Sequence, residues 1–191
     1  MGADSAYLLA AGHGRRAGGP KAWLEHDGET LLERQVRFLR ERFDPGNIVV
    51  TIQKEWTQRC RDIHAEVRWT AEDPEASPLH ALQTLFTAVP FAGWAFFYHV
   101  DMPVWSRELF DLLEDRIPAA EAAGRDAVVP VREDRGGHPV LLSARLRAPL
   151  AALDPGRDRL DHWLRARKVE RVEVSFAVIH ENWNEGGVAS R

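Results

Sequence analysis

Residues 7–21 read Tyr7-Leu-Leu-Ala-Ala-Gly-His-Gly-Arg-Arg-Ala-Gly-Gly-Pro-Lys21, a short apolar run that opens into a basic, glycine-rich loop. The run that ends at Ala11 predicts a buried strand. Glycines allow the backbone to approach a ligand closely, and clustered backbone N–H groups bind anions. Arg15, Arg16 and Lys21 add fixed positive charge beside those groups. The stretch therefore predicts a strand followed by a cradle for a polyphosphate.

The rest of the chain alternates short apolar runs with apolar residues at three- and four-residue spacing. The expected strands lie at 6–11, 47–53, 67–70, 94–100 and 127–131, and the expected helices at 30–43, 78–89 and 107–117. Further strands of mixed direction are expected at 138–142 and 169–179, with helices at 145–153 and 158–167. This alternation predicts an α/β fold: a single Rossmann-like three-layer domain over residues 1–191, with a mostly parallel sheet and helices on both faces.

Composition narrows the function classes. The formal net charge of −4 gives no reason to expect a nucleic-acid groove, so the basic loop suits a small anionic ligand better than a long polyanion. The single cysteine, Cys60, excludes an intrachain disulfide and favours a cytoplasmic location. The longest apolar stretch, 89–100, is too short to span a bilayer, and no basic region precedes the first apolar run. We therefore expect neither a membrane partner nor a signal peptide.

Polar segments follow each of the expected strands. Because ligands on open α/β sheets bind at the carboxyl ends of strands, these segments are expected to form the site. After the glycine-rich loop, they are Gln53-Lys54, 70–77, 99–103 and 132–139. His99 itself ends an apolar run and is predicted to be a core histidine.

A P-loop is excluded as an interpretation of the glycine-rich loop. That motif requires Gly-Lys-Ser/Thr, whereas Lys21 is preceded by Pro20 and followed by Ala22.

The spacing of Gly12, Gly14 and Ala17 matches the G-x-G-x-x-A form of the dinucleotide-binding fingerprint. In that fingerprint a helix begins directly after the glycines, but in this sequence the next expected helix begins only at about Thr30. The second expected strand also ends at Gln53 rather than at an acidic residue that would hold a ribose. An NAD-linked oxidoreductase is therefore disfavoured. The third interpretation is a nucleotidyltransferase loop.

The residues of the loop carry a family resemblance. Leu9-Ala-Ala-Gly12-x-Gly14-x-Arg16-x-Gly18-x-Pro20-Lys21, followed by Asp27-Gly-Glu-Thr-Leu-Leu32, resembles the opening of the MobA-like nucleotidyltransferases. These are the molybdenum cofactor guanylyltransferases and cytidylyltransferases with their relatives. The usual form is L-A-A-G-x-S-x-R-M-G-x-x-K, so Gly14 stands where Ser is common and Ala17 where Met is common.

Four later segments extend this resemblance over most of the chain. They are similar to the family's D…G-P-L-A-G-I, G-D-M-P, G-H-P-V-L-F and N-x-N segments. In order, they are Asp73 with Ser77-Pro-Leu-His-Ala-Leu82, Val100-Asp-Met-Pro103, Gly137-His-Pro-Val-Leu-Leu142, and Asn182-Trp-Asn184. In the last segment, Glu-Gly-Gly replaces the usual T-P-E-D continuation.

The resemblance implies a role for each group of residues. On the nucleotide side, it implies Arg16 and Lys21 as the catalytic residues on the phosphates, and Leu9, Ala10, Ala11, Gly12, Gly14, Gly18, Asp73 and Ser77 as the nucleotide-binding residues. Asp73 would accept hydrogen bonds from a guanine edge. The alternatives are an exposed acidic residue for Asp73 and a helix cap for Ser77.

On the other side of the reaction, the resemblance implies Asp101 and Asn184 as ligands of Mg²⁺, and Gly137, His138 and Pro139 as acceptor-binding residues. The alternatives are a helix N-cap for Asp101, a plain turn for Asn184, and a turn before a strand for His138.

Together these residues imply a Mg²⁺-dependent nucleotidyltransferase. It would move an NMP group from GTP or CTP to molybdopterin or another small phosphorylated acceptor and release pyrophosphate. Asp73 and the segment 77–82 favour GTP. The alternative is a nucleotide-binding relative that has lost transfer activity and acts as a binding or regulatory protein.

Overall fold

A mixed sheet lies at the centre of the structure, a computed structural model that describes residues 2–14 and 18–183. In chain order, the strands are β1 (Ser5–Leu9), β2 (Glu25–His26), β3 (Glu29–Thr30), β4 (Ile48–Gln53), β5 (Arg68–Glu72), β6 (Trp94–His99), β7 (Ala127–Arg132), β8 (Arg135–Gly136), β9 (Val140–Ser143) and β10 (Glu170–Glu173). The sheet order is β10-β7-β9-β6-β1-β4-β5 with β8 on β7, while β2 and β3 form a separate ribbon.

Strand directions confirm the predicted mostly parallel sheet. The four strands β6, β1, β4 and β5 are parallel neighbours, and β10 runs parallel to β7. Strand β9 runs antiparallel to both β6 and β7, which gives the mixed direction expected for the later strands. Leu9 at the end of β1 pairs with Thr51 on one side and His99 on the other. The carboxyl ends of these strands therefore lie side by side.

Helices cover both faces of the sheet. They are α1 (Leu31–Arg40), α2 (Thr57–Ile63), α3 (Pro78–Ala88), α4 (Arg107–Glu114), α5 (Ile117–Ala122), α6 (Arg147–Ala151) and α7 (Leu160–Arg165). Successive residues of a strand point to opposite faces, so Leu8 packs in one core cluster with Val36 of α1, whereas Tyr7 packs in the other with Leu82 of α3. This is the three-layer α/β arrangement that the sequence predicts.

Two local interactions set the start of α1. Thr30 accepts a hydrogen bond from the backbone N–H of Glu33 at 3.2 Å, and the Glu33 carboxylate accepts one from the Thr30 N–H at 2.9 Å. This capping box satisfies N–H groups that have no partner within the helix. Before it, Asp27 and Gly28 turn the chain at φ values of +54° and +78° and join β2 to β3, a ribbon that the sequence analysis missed.

Several expected elements are shorter than predicted, and two of them are followed by a new helical turn. The helix expected over 107–117 ends at Glu114, and α5 begins anew with Pro118 in its first turn. Proline lacks an N–H and clashes with the preceding turn, so it fits the start of a helix better than its interior. The strand expected over 169–179 ends at Glu173 and is followed by a 3-10 turn, Ala177–His180.

Within residues 2–14 and 18–183, no helix combines the length and the apolar character that crossing a membrane requires.

Candidate active site

A cavity of about 230 Å³ lies at the carboxyl ends of β1, β4, β5 and β6. We call it the smaller cavity. Eight residues singled out from the sequence line it: Leu9, Ala10, Ala11, Gly12, Gly14, Lys21, Asp73 and Asp101. The structure therefore brings together residues up to 92 positions apart, from Leu9 to Asp101.

Gly14 has a conformation that requires glycine. Its φ is +59°, and a Cβ placed there would lie 1.9 Å from the carbonyl oxygen of Gly19. The Gly19 N–H donates to the Gly14 carbonyl at 3.3 Å, which closes the loop on itself. Gly18 also has a positive φ, +77°, but is not among the residues that line the smaller cavity. Arg16 lies outside the described residues.

Polar residues of β4 hold the start of the loop. The Ala10 N–H donates to both the carbonyl oxygen and Oγ1 of Thr51, each at 3.1 Å. The Gln53 side-chain amide donates to the Gly12 carbonyl at 3.4 Å. Both side chains are buried in a strand that is otherwise apolar. Such polar residues inside an apolar run were the signal that could have identified these anchors, because buried polar groups need partners.

Lys21 and Asp101 form an ion pair at the edge of the smaller cavity. Lys21 begins a 3-10 turn, and Asp101 follows β6. The Lys21 ammonium contacts Oδ2 of Asp101 and also lies 3.4 Å from Oδ1 of Asn182. Asp101 is nearly buried, with 7% of its side chain exposed, against 23% for Lys21.

The last described residues are tied to Asp101. The backbone N–H of Trp183 donates to the Asp101 carbonyl at 2.8 Å, which keeps Asn182 beside the carboxylate. Asn184, the predicted metal ligand, lies outside the described residues. The helix-cap alternative for Asp101 is wrong, because Ser106 caps α4 by accepting the Leu109 N–H at 3.2 Å.

The donor set suits a cation that is shared with a substrate. Among the described residues, no group of three His, Cys, Asp or Glu side chains comes together as a metal centre. Mg²⁺ is usually bound through one or two carboxylates together with substrate phosphates and water. Asp101 beside Asn182 at a phosphate-sized cavity fits that mode.

Glu72, the last residue of β5, was missed by the sequence analysis, which expected the strand to end at residue 70. It lines the smaller cavity and is 7% exposed. Its Oε1 accepts the Asp73 N–H at 2.9 Å and lies 3.3 Å from His80. Its Oε2 is buried and has no hydrogen-bond partner within the described part of the chain. Buried polar atoms rarely lack a partner, so a ligand in this cavity is a candidate donor.

Asp73 and Ser77 are already engaged elsewhere. Asp73 is exposed, and its Oδ1 accepts the Glu75 N–H at 2.9 Å. Ser77 caps α3 by accepting the His80 N–H at 3.2 Å and donates to the Pro155 carbonyl at 2.9 Å. Ser77 lines a second cavity rather than the smaller one.

The second cavity, of about 1220 Å³, adjoins the first; we call it the larger cavity. Gly137 and His138 line it, whereas Pro139, joined to His138 by a cis peptide bond, is buried and is not among its lining residues. A Cβ on Gly137 would lie 2.5 Å from the Ile179 carbonyl oxygen, so this position also requires glycine. The His138 N–H donates to the same carbonyl at 3.0 Å.

His99 lines both cavities and corrects the expectation of a core histidine. Its ring lies edge-on to that of His138, with centroids 5.8 Å apart. Burial lowers the pKa of both rings. The pKa of His138 falls to about 3. At His99, burial is the largest cause of the decrease in pKa, the charge of Asp101 opposes it, and the charge of Lys21 adds to it. Both imidazoles are therefore neutral near pH 7. Nδ1 of His138 is buried without a hydrogen-bond partner among the described residues.

Comparisons with known proteins find similar sequences and similar structures. The family model described as the MobA-like NTP transferase domain matches residues 6–172. A probable molybdenum cofactor guanylyltransferase of Opitutus terrae is 40% identical over 98 residues, 50% of this chain and 46% of that protein. One of Thermococcus kodakarensis is 31% identical over 123 residues, 64% of this chain and 57% of that protein. The chain spans about half the length of the curated relatives it matches.

Solved structures share the fold over most of the chain. Molybdopterin-guanine dinucleotide biosynthesis protein A of Archaeoglobus fulgidus gives a TM-score of 0.69 at 19% identity, over 95% of this chain and 92% of that one. The complex of Rv0371c with manganese, from Mycobacterium tuberculosis, gives 0.69 at 20% identity, over 94% of both chains. At these identities, the likeness shows the α/β fold.

Proposed function

Because this chain belongs to the MobA-like NTP transferase family, we propose that it transfers a nucleoside monophosphate from an NTP to a small phosphorylated acceptor. The observation that carries the proposal is the meeting of two adjoining cavities at His99, beside the Lys21–Asp101 pair. A reaction between two substrates needs both of them bound next to the charged groups that stabilise the transferring phosphate.

The smaller cavity would hold the nucleotide triphosphate. The backbone from Leu9 to Gly14, with Gly18 further along the loop, would cradle the phosphates. Lys21 and Arg16 would neutralise the negative charge that builds up on them during transfer.

Asp101 would hold a divalent cation together with the phosphates, and Mg²⁺ is the cation that we propose. Asn184, as the resemblance implies, and Asn182, whose Oδ1 lies near Lys21, are the candidate neutral ligands. The cation would supply charge neutralisation on the phosphate oxygens when bound. A structural neighbour that is a manganese complex supports a divalent cation.

We propose GTP as the preferred nucleotide over CTP. Guanine presents a row of N–H donors, and carboxylates are hydrogen-bond acceptors. Asp73 remains a candidate for this contact, but Glu72 is the better one because its Oε2 has no other partner among the described residues. The two curated relatives are both named guanylyltransferases, which supports GTP.

The larger cavity would hold the acceptor, and we propose molybdopterin or a similar phosphorylated molecule. Gly137 and His138 would contact it, with Pro139 shaping the wall from behind. An acceptor phosphate oxygen would form a bond to the α-phosphorus of the NTP. The bond from that phosphorus to the bridging oxygen would break, and pyrophosphate would leave.

We further propose that residues 1–191 act as one cytoplasmic nucleotidyltransferase domain, without nucleic-acid or membrane partners. The central sheet, which joins β1 to strands β4 through β10, supports one domain.

Release of pyrophosphate from each of the four NTPs, with molybdopterin as the acceptor, tests the proposal. Wild-type protein is expected to release it fastest from GTP, while Lys21→Ala and Asp101→Ala should each slow release about a hundredfold or more, the typical cost of removing a charge-stabilising group. Unchanged rates in both variants would contradict the residue roles. Tight GTP binding without release would favour the binding-protein alternative.

A further inference from the structure

Lys21 occupies the position at which a divalent cation would bind. Its ammonium contacts Oδ2 of Asp101 and lies 3.4 Å from Oδ1 of Asn182. Both are oxygen atoms of the kind that a hard cation binds, since carboxylate and amide oxygens are its usual protein ligands. A positively charged side chain of this protein is therefore already placed on them.

The contact has an electrostatic reason. Only 7% of the Asp101 side chain is exposed, and an ionised carboxylate that is largely removed from water needs a countercharge. Lys21 supplies it across 80 positions of the chain. Removing one partner of such a pair leaves an uncompensated charge, so the pair is favourable as long as nothing else enters the cavity.

The same contact opposes a metal ion. A divalent cation within bonding distance of Oδ2 would lie only a few ångströms from the Lys21 ammonium, and like charges at that separation repel strongly. A triphosphate in the smaller cavity changes this balance, because its oxygens offer Lys21 a new set of negative partners. Lys21 also lines that cavity.

We propose that Lys21 acts as a resident countercharge for Asp101, so that the divalent cation binds with the nucleotide and not before it. This inference rests on the proposed function for the identity of the nucleotide. It adds an order of binding: the triphosphate draws Lys21 away, and the freed carboxylate then accepts the cation.

Titration of the nucleotide-free protein with Mn²⁺, followed by electron paramagnetic resonance of the unbound ion, tests this directly. Lys21→Met is expected to bind Mn²⁺ about tenfold or more tightly than the wild type, because the repelling charge is gone. Lys21→Arg keeps the charge and should bind as weakly as the wild type. Adding Asp101→Asn to Lys21→Met should remove the gain.

Lys54→Met is the matched control. Lys54 is exposed at the end of β4, on the same edge of the sheet, and does not line either cavity. The proposal is overturned if Lys21→Met binds Mn²⁺ no more tightly than the wild type, or if Lys54→Met gains as much. Circular dichroism melts of each variant verify that it is folded.

A second titration separates this inference from the proposed function. In the presence of GTP, the wild type should bind Mn²⁺ much more tightly than without it. The nucleotide-free comparison contains neither nucleotide nor acceptor. Its result therefore stands even if no pyrophosphate is ever released, and a failed release assay would contradict only the proposed function.

Discussion

A Cβ on Gly14 would lie 1.9 Å from the carbonyl oxygen of Gly19. The family pattern that this loop resembles has serine at the position of Gly14, and the backbone of this chain leaves no room there for a side chain without rearrangement.

Replacing Gly14 by serine should therefore weaken both nucleotide binding and stability. We expect Gly14→Ser to weaken GTP binding about tenfold or more and to lower the midpoint of thermal unfolding, because the positive φ and the clash must be relieved by moving the loop. Gly46→Ser is the control, since Gly46 has open space around it and lies outside both cavities. Isothermal calorimetry with GTP measures the effect, and unchanged affinity in Gly14→Ser would contradict the argument.

Two adjacent carboxylates allow a test of base recognition. Glu72→Gln should weaken GTP binding about tenfold or more, because a charged acceptor with an unused oxygen is replaced by a neutral amide. Asp73→Asn should change it by less than about threefold, since Asp73 is exposed and accepts from Glu75. Fluorescence titration with a labelled GTP analogue gives both values. The reverse ranking would restore Asp73 as the base-binding residue.

His99 should affect transfer more than nucleotide binding. It lines both cavities, so its loss disturbs the position of one substrate relative to the other. We expect His99→Phe to slow pyrophosphate release about tenfold or more while the dissociation constant for GTP stays within about threefold. His99→Gln keeps a hydrogen-bonding group and should recover part of the rate. Equal losses in GTP affinity and rate would argue against a positioning role.

The buried ring of His138 predicts a dependence of stability on pH. Burial, and secondarily the nearby His99, lower its pKa to about 3, below the ordinary 6.5. The unfolded chain therefore binds the proton first as the pH falls below 6.5. The contribution of neutral His138 to the free energy of unfolding is therefore fully present above pH 6.5. It should fall by about 1.4 kcal/mol per pH unit as the pH decreases towards about 3.

Urea unfolding of wild type and His138→Gln between pH 7 and pH 4.5 measures this slope. The variant should lose part of the pH dependence, whereas His162→Gln, at an exposed histidine, should keep it. Parallel curves for wild type and His138→Gln would show that His138 does not titrate in this way.

The pairing of Lys21 with Asp101 illustrates what the sequence can predict. The rule that ligands bind at the carboxyl ends of strands places both residues at one edge of the sheet before any coordinates are known. Most of the residues that line the smaller cavity follow from the same rule, because a loop after a parallel strand can lie only at that edge.

The choice between Glu72 and Asp73 illustrates what the sequence cannot predict. Extending β5 from the expected residue 70 to Glu72 makes Glu72 a buried strand residue in the wall of the smaller cavity, whereas Asp73, which also lines that cavity, is exposed. Strand ends are set by pairing with a neighbour, here Gln53 opposite Glu72, which is not visible in local sequence. His99 was misjudged for a different reason: the sequence indicates that it lies near the end of β6, but not that two cavities open beside that strand end.

The division of the two cavities along the chain has a consequence for how such proteins diversify. All residues that line the smaller cavity lie between Leu9 and Asp101, whereas most of those around the larger cavity lie between Val129 and Asn182. On the roles proposed for the two cavities, substitutions in the second half would alter which acceptor binds without disturbing how the nucleotide is held. A lineage would in this way keep its proposed nucleotide donor unchanged while it acquires a new acceptor.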